Sequence, residues 1–111
     1  MDNVDKYSDL IQQFLQEYAS YKRLNKDIES QFVCDTANHH YQIVNMGWQN
    51  QIRVFGCILH LDIKNGKIWI QHNTTEIDIA EELVNLGVPK HDIVIGFHSP
   101  FKRQFTEYAV N

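Results

Sequence analysis

The hydrophobic positions in the first part of the chain recur at intervals of three and four residues. This period predicts an amphipathic α-helix from about Asn3 to Tyr21. Its apolar stripe contains several large aromatic side chains, so we expect the helix to cover one face of a sheet. The stripe consists of Tyr7, Leu10, Ile11, Phe14, Leu15, Tyr18 and Tyr21.

From Ile28 onwards the pattern changes to alternation with period two, which is typical of half-buried strands. Asn65–Gly66 is the strongest turn signal, because a type I′ turn requires positive φ at both central positions. Strands in series with short connections predict an antiparallel meander. The predicted strands cover residues 28–35, 41–48, 52–63 and 67–72.

A second helix and a short apolar run follow the strands. Thr75 and Asp78 have the spacing of a capping box, with Thr75 at the cap position. Gly87 supplies a left-handed residue at the end of this helix, and Pro89 prevents its continuation. The run DIVIGF, residues 92–97, is either a fifth strand or a buried extended segment. We expect the C-terminal segment to be partly extended and to pack on the body through Phe101, Phe105 and Tyr108.

These elements predict the α+β fold class. Both helices should pack on one face of a mainly antiparallel sheet of four to five strands. The length of 111 residues is enough for one hydrophobic core, so we expect a single domain over residues 1–111.

The Asn65–Gly66 turn sets the register of the hairpin that it closes. Cross-strand partners share a face, and successive side chains alternate between faces. The predicted pairs are Lys64 with Lys67, Asp62 with Trp69, His60 with Gln71 and Leu59 with His72. One face is almost wholly apolar and should be the core face; it carries Phe55, Cys57, Leu59, Leu61, Ile63, Ile68, Ile70 and His72.

The outer face of this hairpin is mixed in character. The register places His60 and His72 on opposite faces, so we do not expect them to bind one metal ion. His60 and Asp62 share the outer face, where we expect them to meet solvent. Trp69 with its apolar neighbours is either an interface or is covered by the C-terminal segment. The candidate interface consists of Val54, Ile58, His60, Asp62, Trp69 and Gln71.

Composition and charge narrow the function classes. The net charge of −4 and the pI near 5.8 do not favour an autonomous DNA-binding protein. Cys34 and Cys57 are expected to be reduced and buried in a cytoplasmic protein. We recognise neither a secretory signal nor an apolar stretch long enough to span a membrane. The basic side chains are interpreted as solvated surface charge. The alternative is that some of them form a local phosphate-binding patch, consisting of Lys22, Arg23, Lys26, Lys102 and Arg103.

No catalytic arrangement is recognisable in the sequence. His39 and His40 with Asp35 suggest metal ligands, but adjacent histidines diverge on a strand or turn, so we expect surface positions. Neither a nucleophile elbow nor a phosphate-binding glycine loop is present. We therefore predict no catalytic residues, no metal and no cofactor, and hence no enzyme.

Several segments resemble the XisI family, which is named for the fdxN-element excision controlling factor. The resemblance runs from the first helix to the C-terminus. It rests chiefly on HLDIKNGKIWIQ, residues 60–71, IAEELVNLGVPKHDIVIGFH, residues 79–98, and TEYAV, residues 106–110.

The resemblance implies a small α+β protein from filamentous cyanobacteria. It further implies a role in the developmentally timed, site-specific excision of a DNA element from a nitrogen-fixation operon, together with a recombinase and a companion protein, XisH. It implies no catalytic residues. The leading hypothesis is a non-enzymatic regulator that contacts an XisH-like partner or a second copy of itself. The second is an accessory factor that binds DNA directly. The third is an enzyme with an unrecognised site, which would require a deep polar pocket.

Overall fold

The structure is a computed structural model and describes residues 3–21 and 27–111. A long N-terminal helix is followed by four strands, a short helix, a fifth strand and a last helical turn. The helices are α1 (Asn3–Ser20), α2 (Ile79–Asn85) and α3 (Pro100–Arg103). The strands are β1 (Ile28–Asp35), β2 (His40–Gln49), β3 (Ile52–Lys64), β4 (Lys67–Asn73) and β5 (Ile93–Ile95).

The five strands form one open sheet in the order β1-β2-β3-β4-β5. The first four strands are antiparallel, and β5 runs parallel to β4 after the connection through α2. The predicted α+β class and the antiparallel meander are confirmed. The apolar run over residues 92–97 contains a strand, which settles the alternative left open by the sequence.

The core lies between one face of the sheet and the helices α1 and α2. From the helices it receives Tyr7, Ile11, Leu15, Ile79, Ala80 and Leu83. The facing sheet residues include Tyr41, Ile43, Leu59, Leu61, Ile63, Ile68 and Ile70. We refer to this side as the helix face of the sheet and to the other side as the open face. None of the described helices is long and apolar enough to cross a membrane.

The start of α2 differs from the prediction. Asp78 is itself the N-cap residue, and its side chain accepts a hydrogen bond from the backbone N–H of Glu81. Thr75 lies outside the helix, where its hydroxyl donates to Asn73. The proposed capping box at Thr75 is therefore wrong, although the C-terminal signal is correct, since Gly87 has a φ of 103°.

The hairpin of β3 and β4 contains a β-bulge. The pairs Lys64–Lys67 and Asp62–Trp69 are confirmed. The register then shifts, so that Leu61 pairs with Ile70 but His60 pairs with His72, and Gln71 is the extra residue. The predicted pairs His60–Gln71 and Leu59–His72 are wrong because of this insertion. His60 and His72 are cross-strand partners, so their placement on opposite faces is also wrong.

A second bulge lies between β2 and β3. Ile43 pairs with Leu59, whereas Val44 pairs with Cys57, which leaves Ile58 as the extra residue. The alternation of the first half of β3 is therefore inverted. Phe55, predicted for the core face, is 69% exposed. Ile58, predicted for the outer face, instead packs against the core.

Both cysteines are free thiols. Cys57 is half-buried beside the second bulge, and its predicted place in the core face is wrong for the same reason as that of Phe55. Cys34 lies on β1, which is an edge strand of the sheet, and it is exposed. The predicted burial of Cys34 is therefore wrong, because nothing in the described chain pairs with the outer side of β1.

The C-terminal segment covers Trp69, which is only 8% exposed. The guanidinium of Arg103 lies 5.1 Å from the centre of the indole ring and donates to the backbone oxygens of Ile95 and Gly96. Of the two alternatives for Trp69, an interface or coverage by the C-terminal segment, the structure shows the second. Packing through Phe101 and Phe105 is wrong, since both are exposed; Tyr108 is partly buried against the core.

Candidate functional site

Polar side chains from three neighbouring strands line up on the open face. Asp35 on β1 pairs with His40 on β2, and His40 pairs with Asp62 on β3. In the next row, Gln42 pairs with His60. Cross-strand partners share a face, so the meander brings these groups together although they are far apart along the chain.

One carboxylate oxygen is the meeting point of two imidazoles. Asp62 Oδ1 lies 2.7 Å from His40 Nδ1 and 2.7 Å from His60 Nε2. The three atoms that could bind a cation all lie within 4.8 Å of one another. We call His40, His60 and Asp62 the His–Asp–His cluster.

Two glutamines hold the cluster from outside. Gln42 Nε2 lies 2.8 Å from His60 Nδ1, the ring nitrogen that points away from Asp62. Gln71 Nε2 donates to Asp62 Oδ2 at 3.3 Å. Gln71 is the extra residue of the β3–β4 bulge, so the bulge supplies the second support of the carboxylate. These two contacts therefore fix the orientation of the His60 ring and of the Asp62 carboxylate.

The charges of the cluster stabilise each other. Burial acts to raise the pKa of Asp62, but hydrogen bonds from His40 and His60 outweigh it, and the pKa lies below its ordinary value. The hydrogen bond to Asp62 in turn raises the pKa of His40. Asp62 is only 16% exposed, whereas His40 is 53% exposed, so the cluster is open to solvent on the His40 side.

A pocket of about 340 Å³ opens beside the cluster. Its lining includes Val33, Cys34 and Asp35 from β1 in addition to the cluster itself. The Asp35 carboxylate accepts hydrogen bonds from Asn38 and from the backbone N–H of Ala37. These bonds, chiefly those from Asn38, lower the pKa of Asp35. The pocket therefore has a negatively charged wall next to an open imidazole.

The sequence missed this cluster because two strands supply it. His39 and His40 diverge as expected, since His39 Nδ1 lies 3.0 Å from the Tyr41 hydroxyl while His40 turns to Asp62. The expectation that His60 and Asp62 merely meet solvent is wrong. The prediction lacked the pairing of β2 with β3. The signal that could have supplied it is the matching alternation of polar and apolar residues in HYQ, residues 40–42, and HLD, residues 60–62.

Three exposed apolar side chains lie on the open face, Val33 beside the cluster and the other two farther along β2 and β3. Val33 and Trp48 are about half exposed, and Phe55 is 69% exposed. The guanidinium of Arg53 lies 5.4 Å from the centre of the Trp48 ring. We call Val33, Trp48 and Phe55 the open-face apolar patch. The sequence missed it because the β2–β3 bulge, which turns Phe55 outward, has no clear signal in the chain.

The predicted interface residues do not form one surface. His60, Asp62 and Gln71 meet in the cluster, Trp69 is buried, and Ile58 packs on the helix face. Val54 is half-buried and alternates with the outward-facing Phe55. The part of the predicted interface that stays accessible is the edge of the cluster.

The predicted basic patch is only partly described. Lys22, Arg23 and Lys26 lie outside the described residues. Lys102 is exposed on α3, whereas Arg103 uses its guanidinium to hold the C-terminal segment over Trp69.

The comparisons that find a match among known proteins all point to the same family. The model of the XisI family, described as XisI protein, matches residues 1–110. The chain is similar to a XisI-like protein from Anabaena variabilis ATCC 29413, with 47% identity, a TM-score of 0.90, and coverage of 97% of this chain and 99% of the other. It is also similar to the fdxN element excision controlling factor XisI of the same organism, with 34% identity, a TM-score of 0.83, and coverage of 99% and 100%. No curated protein matches the chain.

Proposed function

Because the chain belongs to the XisI family, we propose that it is an accessory factor that controls excision of a DNA element and acts without catalysis, by binding other proteins. The relative with 34% identity is named as an excision controlling factor, which supports a controlling role here. We place this role in the cytoplasm of a filamentous cyanobacterium.

The open-face apolar patch is the observation that carries the proposal. α1 and α2 cover the other side of the sheet, whereas Val33, Trp48 and Phe55 present exposed apolar side chains on the open face. Exposed apolar side chains next to polar groups are typical of protein-binding surfaces. Aromatic residues such as Trp48 and Phe55 are also the side chains that contribute most to such interfaces.

The partner that we propose is an XisH-like companion protein, within a complex that contains the recombinase. A protein with net charge −4 is poorly suited to bind DNA on its own, so contact with a DNA-binding partner is the more direct way to influence recombination. The apolar patch would then be covered by the companion, or by a second copy of this chain.

Co-purification tests the proposal. The two proteins, co-expressed with a tag on one, should elute as one complex in size-exclusion chromatography, and Phe55→Asp should separate them. Phe101→Asp is the matched control, since Phe101 is equally exposed but lies on α3. Separate elution of the wild-type proteins at micromolar concentration, with light scattering that shows a monomer, would contradict the proposal.

Direct DNA binding is the rival function. A gel shift with element-end DNA over a salt series separates the two, because phosphate contacts give a steep loss of affinity with salt. We expect no shift for the chain alone. A steep salt dependence that is reduced by Lys102→Ala would favour the DNA-binding alternative.

A further inference from the structure

We propose that the His–Asp–His cluster is a binding site for a divalent transition-metal ion, with Zn²⁺ as the best-fitting ion. The ligands are His40 Nδ1, His60 Nε2 and one oxygen of Asp62. Two imidazoles and a carboxylate are a donor set suited to zinc and to neighbouring first-row metals. This site is separate from the protein-binding role proposed above and does not depend on it.

The spacing of the donor atoms fits one ion. Each imidazole nitrogen lies 2.7 Å from Asp62 Oδ1, which is hydrogen-bond distance. With bonds of about 2.0–2.1 Å, the ligands of a tetrahedral zinc ion lie about 3.3 Å apart. An outward movement of roughly half an ångström therefore converts the hydrogen-bonded cluster into a coordination site. The half-exposed His40 side chain has room for that movement.

The outer contacts are those that a metal site requires. A histidine that binds a metal through one nitrogen usually makes a hydrogen bond with the other, which fixes the ring and its tautomer. His60 Nδ1 lies 2.8 Å from the amide nitrogen of Gln42. When Nε2 binds the ion, the proton is on Nδ1, and a flip of the Gln42 amide brings its oxygen to the position where it accepts that proton's hydrogen bond. Gln71 supports the second oxygen of Asp62 in the same way.

The adjacent pocket leaves the ion open on one side. Three protein ligands leave at least one position of a zinc ion for water or for a group from a partner. That position faces the pocket beside Val33 and Asp35. A pair of surface groups without this convergence is available for comparison: His91 lies 3.7 Å from Asp92, with 81% of its side chain exposed.

Isothermal titration of the purified full chain with ZnCl₂ tests the site. The wild type should bind one ion with an affinity in the micromolar range or tighter. His60→Ala and His40→Ala should abolish this binding, while His91→Ala should leave it unchanged. Gln42→Leu should weaken it by about tenfold or more, as loss of an outer-shell hydrogen bond does. Circular dichroism of the metal-free variants verifies that each is folded.

Two spectroscopic readouts identify the ligands independently of affinity. Co²⁺ should give visible d–d absorption that Zn²⁺ displaces, and zinc should shift the imidazole resonances of His40 and His60 but not those of His91. Absence of stoichiometric binding by the wild type would overturn the proposal. Equal loss of binding in His91→Ala and His60→Ala, or an unchanged affinity in both His40→Ala and His60→Ala, would overturn it as well.

Discussion

Asp62 and His40 are direct cross-strand partners, and their side chains meet with 2.7 Å between Oδ1 and Nδ1. The two residues lie on the two strands of the β2–β3 hairpin, 22 positions apart in the sequence, so their contact depends on the pairing of β2 with β3. The hydrogen bond raises the pKa of His40, and with that of His60 it outweighs the opposing effect of burial on the pKa of Asp62. The charged form of His40 therefore stabilises the charged form of Asp62, and the reverse is also true.

Replacement of Asp62 by Asn should lower the pKa of His40 toward its ordinary value of about 6.5. The reason is that the hydrogen bond to a charged carboxylate is the largest cause of the raised pKa. An NMR titration of the His40 ring protons measures the change. Asp35→Asn is the control, since Asp35 acts on the pKa of His40 only through its charge and more weakly than Asp62 does. A larger effect of Asp35→Asn than of Asp62→Asn would contradict this account.

The same pair makes stability depend on pH in two directions. The pKa of His40 is raised on folding, so its contribution is complete below the ordinary imidazole pKa and is lost as the pH rises through the raised value. The pKa of Asp62 is lowered, so its contribution is complete above the ordinary carboxyl pKa and is lost as the pH falls through the lowered value. The pair stabilises the metal-free protein most between about pH 4 and about pH 6.5.

Tyr7 should make the protein lose stability at alkaline pH. Burial, together with the hydrogen bond that Tyr7 donates to Asp92, raises the pKa of Tyr7 to about 12. The phenol of an unfolded chain has a pKa of about 10, so the contribution is complete below that pH and is lost as the pH rises through about 12. Two pKa units correspond to about 3 kcal/mol at most.

Urea unfolding at a series of pH values measures this loss. Tyr7→Phe should be less stable than the wild type at neutral pH and should show a shallower decline between about pH 10 and about pH 12. Tyr21→Phe is the control, because Tyr21 is exposed at the end of α1. An identical alkaline decline in the wild type and Tyr7→Phe would show that another group is responsible.

Arg103 should hold the C-terminal segment in place. Its guanidinium donates to Ile95 and Gly96, and it lies over Trp69. Arg103→Ala removes these bonds and should destabilise the segment by about 1–3 kcal/mol. Hydrogen exchange of the Ala109 amide, which donates to Ile93, reports this locally.

Lys102→Ala is the matched control for Arg103, since it removes the neighbouring charge from the exposed side of α3. We expect it to leave the protection of the Ala109 amide unchanged. Equal protection in the wild type and Arg103→Ala would show that the bridge between Val94 and Ala109 holds the segment without Arg103.

Local sequence signals predicted the elements of this fold but not all of their register. The helical stripe of α1, the Asn65–Gly66 turn and the alternation of β1 were sufficient because each depends on neighbouring residues. The two bulges at Ile58 and Gln71 were not predictable, since an inserted residue depends on how two strands fit together. Each bulge inverts the faces beyond it, which is why Phe55 and His72 were misplaced.

The candidate site shows the same limit more sharply. The shared face of His60 and Asp62 follows from alternation along one strand, and the sequence predicted it correctly. The position of His40 beside Asp62 depends on the pairing of β2 with β3. The turn between these two strands has no sequence signal as clear as Asn65–Gly66, which set the pairing of β3 with β4. The burial of Trp69 likewise depends on where the C-terminal segment packs, a long-range contact that the pattern of the segment itself does not reveal.

Gly47 should be the least replaceable glycine of the sheet. A β-carbon there would lie 1.9 Å from the backbone oxygen of Asp27, and Gly47 has a φ of 152°. The same oxygen accepts a hydrogen bond from the backbone N–H of Trp48, so it cannot move away without loss of that bond. Gly47→Ala should therefore separate the start of β1 from β2 and cost roughly 1–3 kcal/mol.

Gly56→Ala is the matched comparison for Gly47→Ala, since Gly56 lies in the adjacent strand and a β-carbon there meets nothing within 4 Å. Alanine restricts the unfolded chain at both positions, so Gly56→Ala should be neutral or slightly stabilising. Urea unfolding of the two variants and the wild type measures the difference. Equal stability of the two variants would mean that β1 can shift away from β2 at little cost, and the close contact between Asp27 and Gly47 would then not determine how the edge strand is attached.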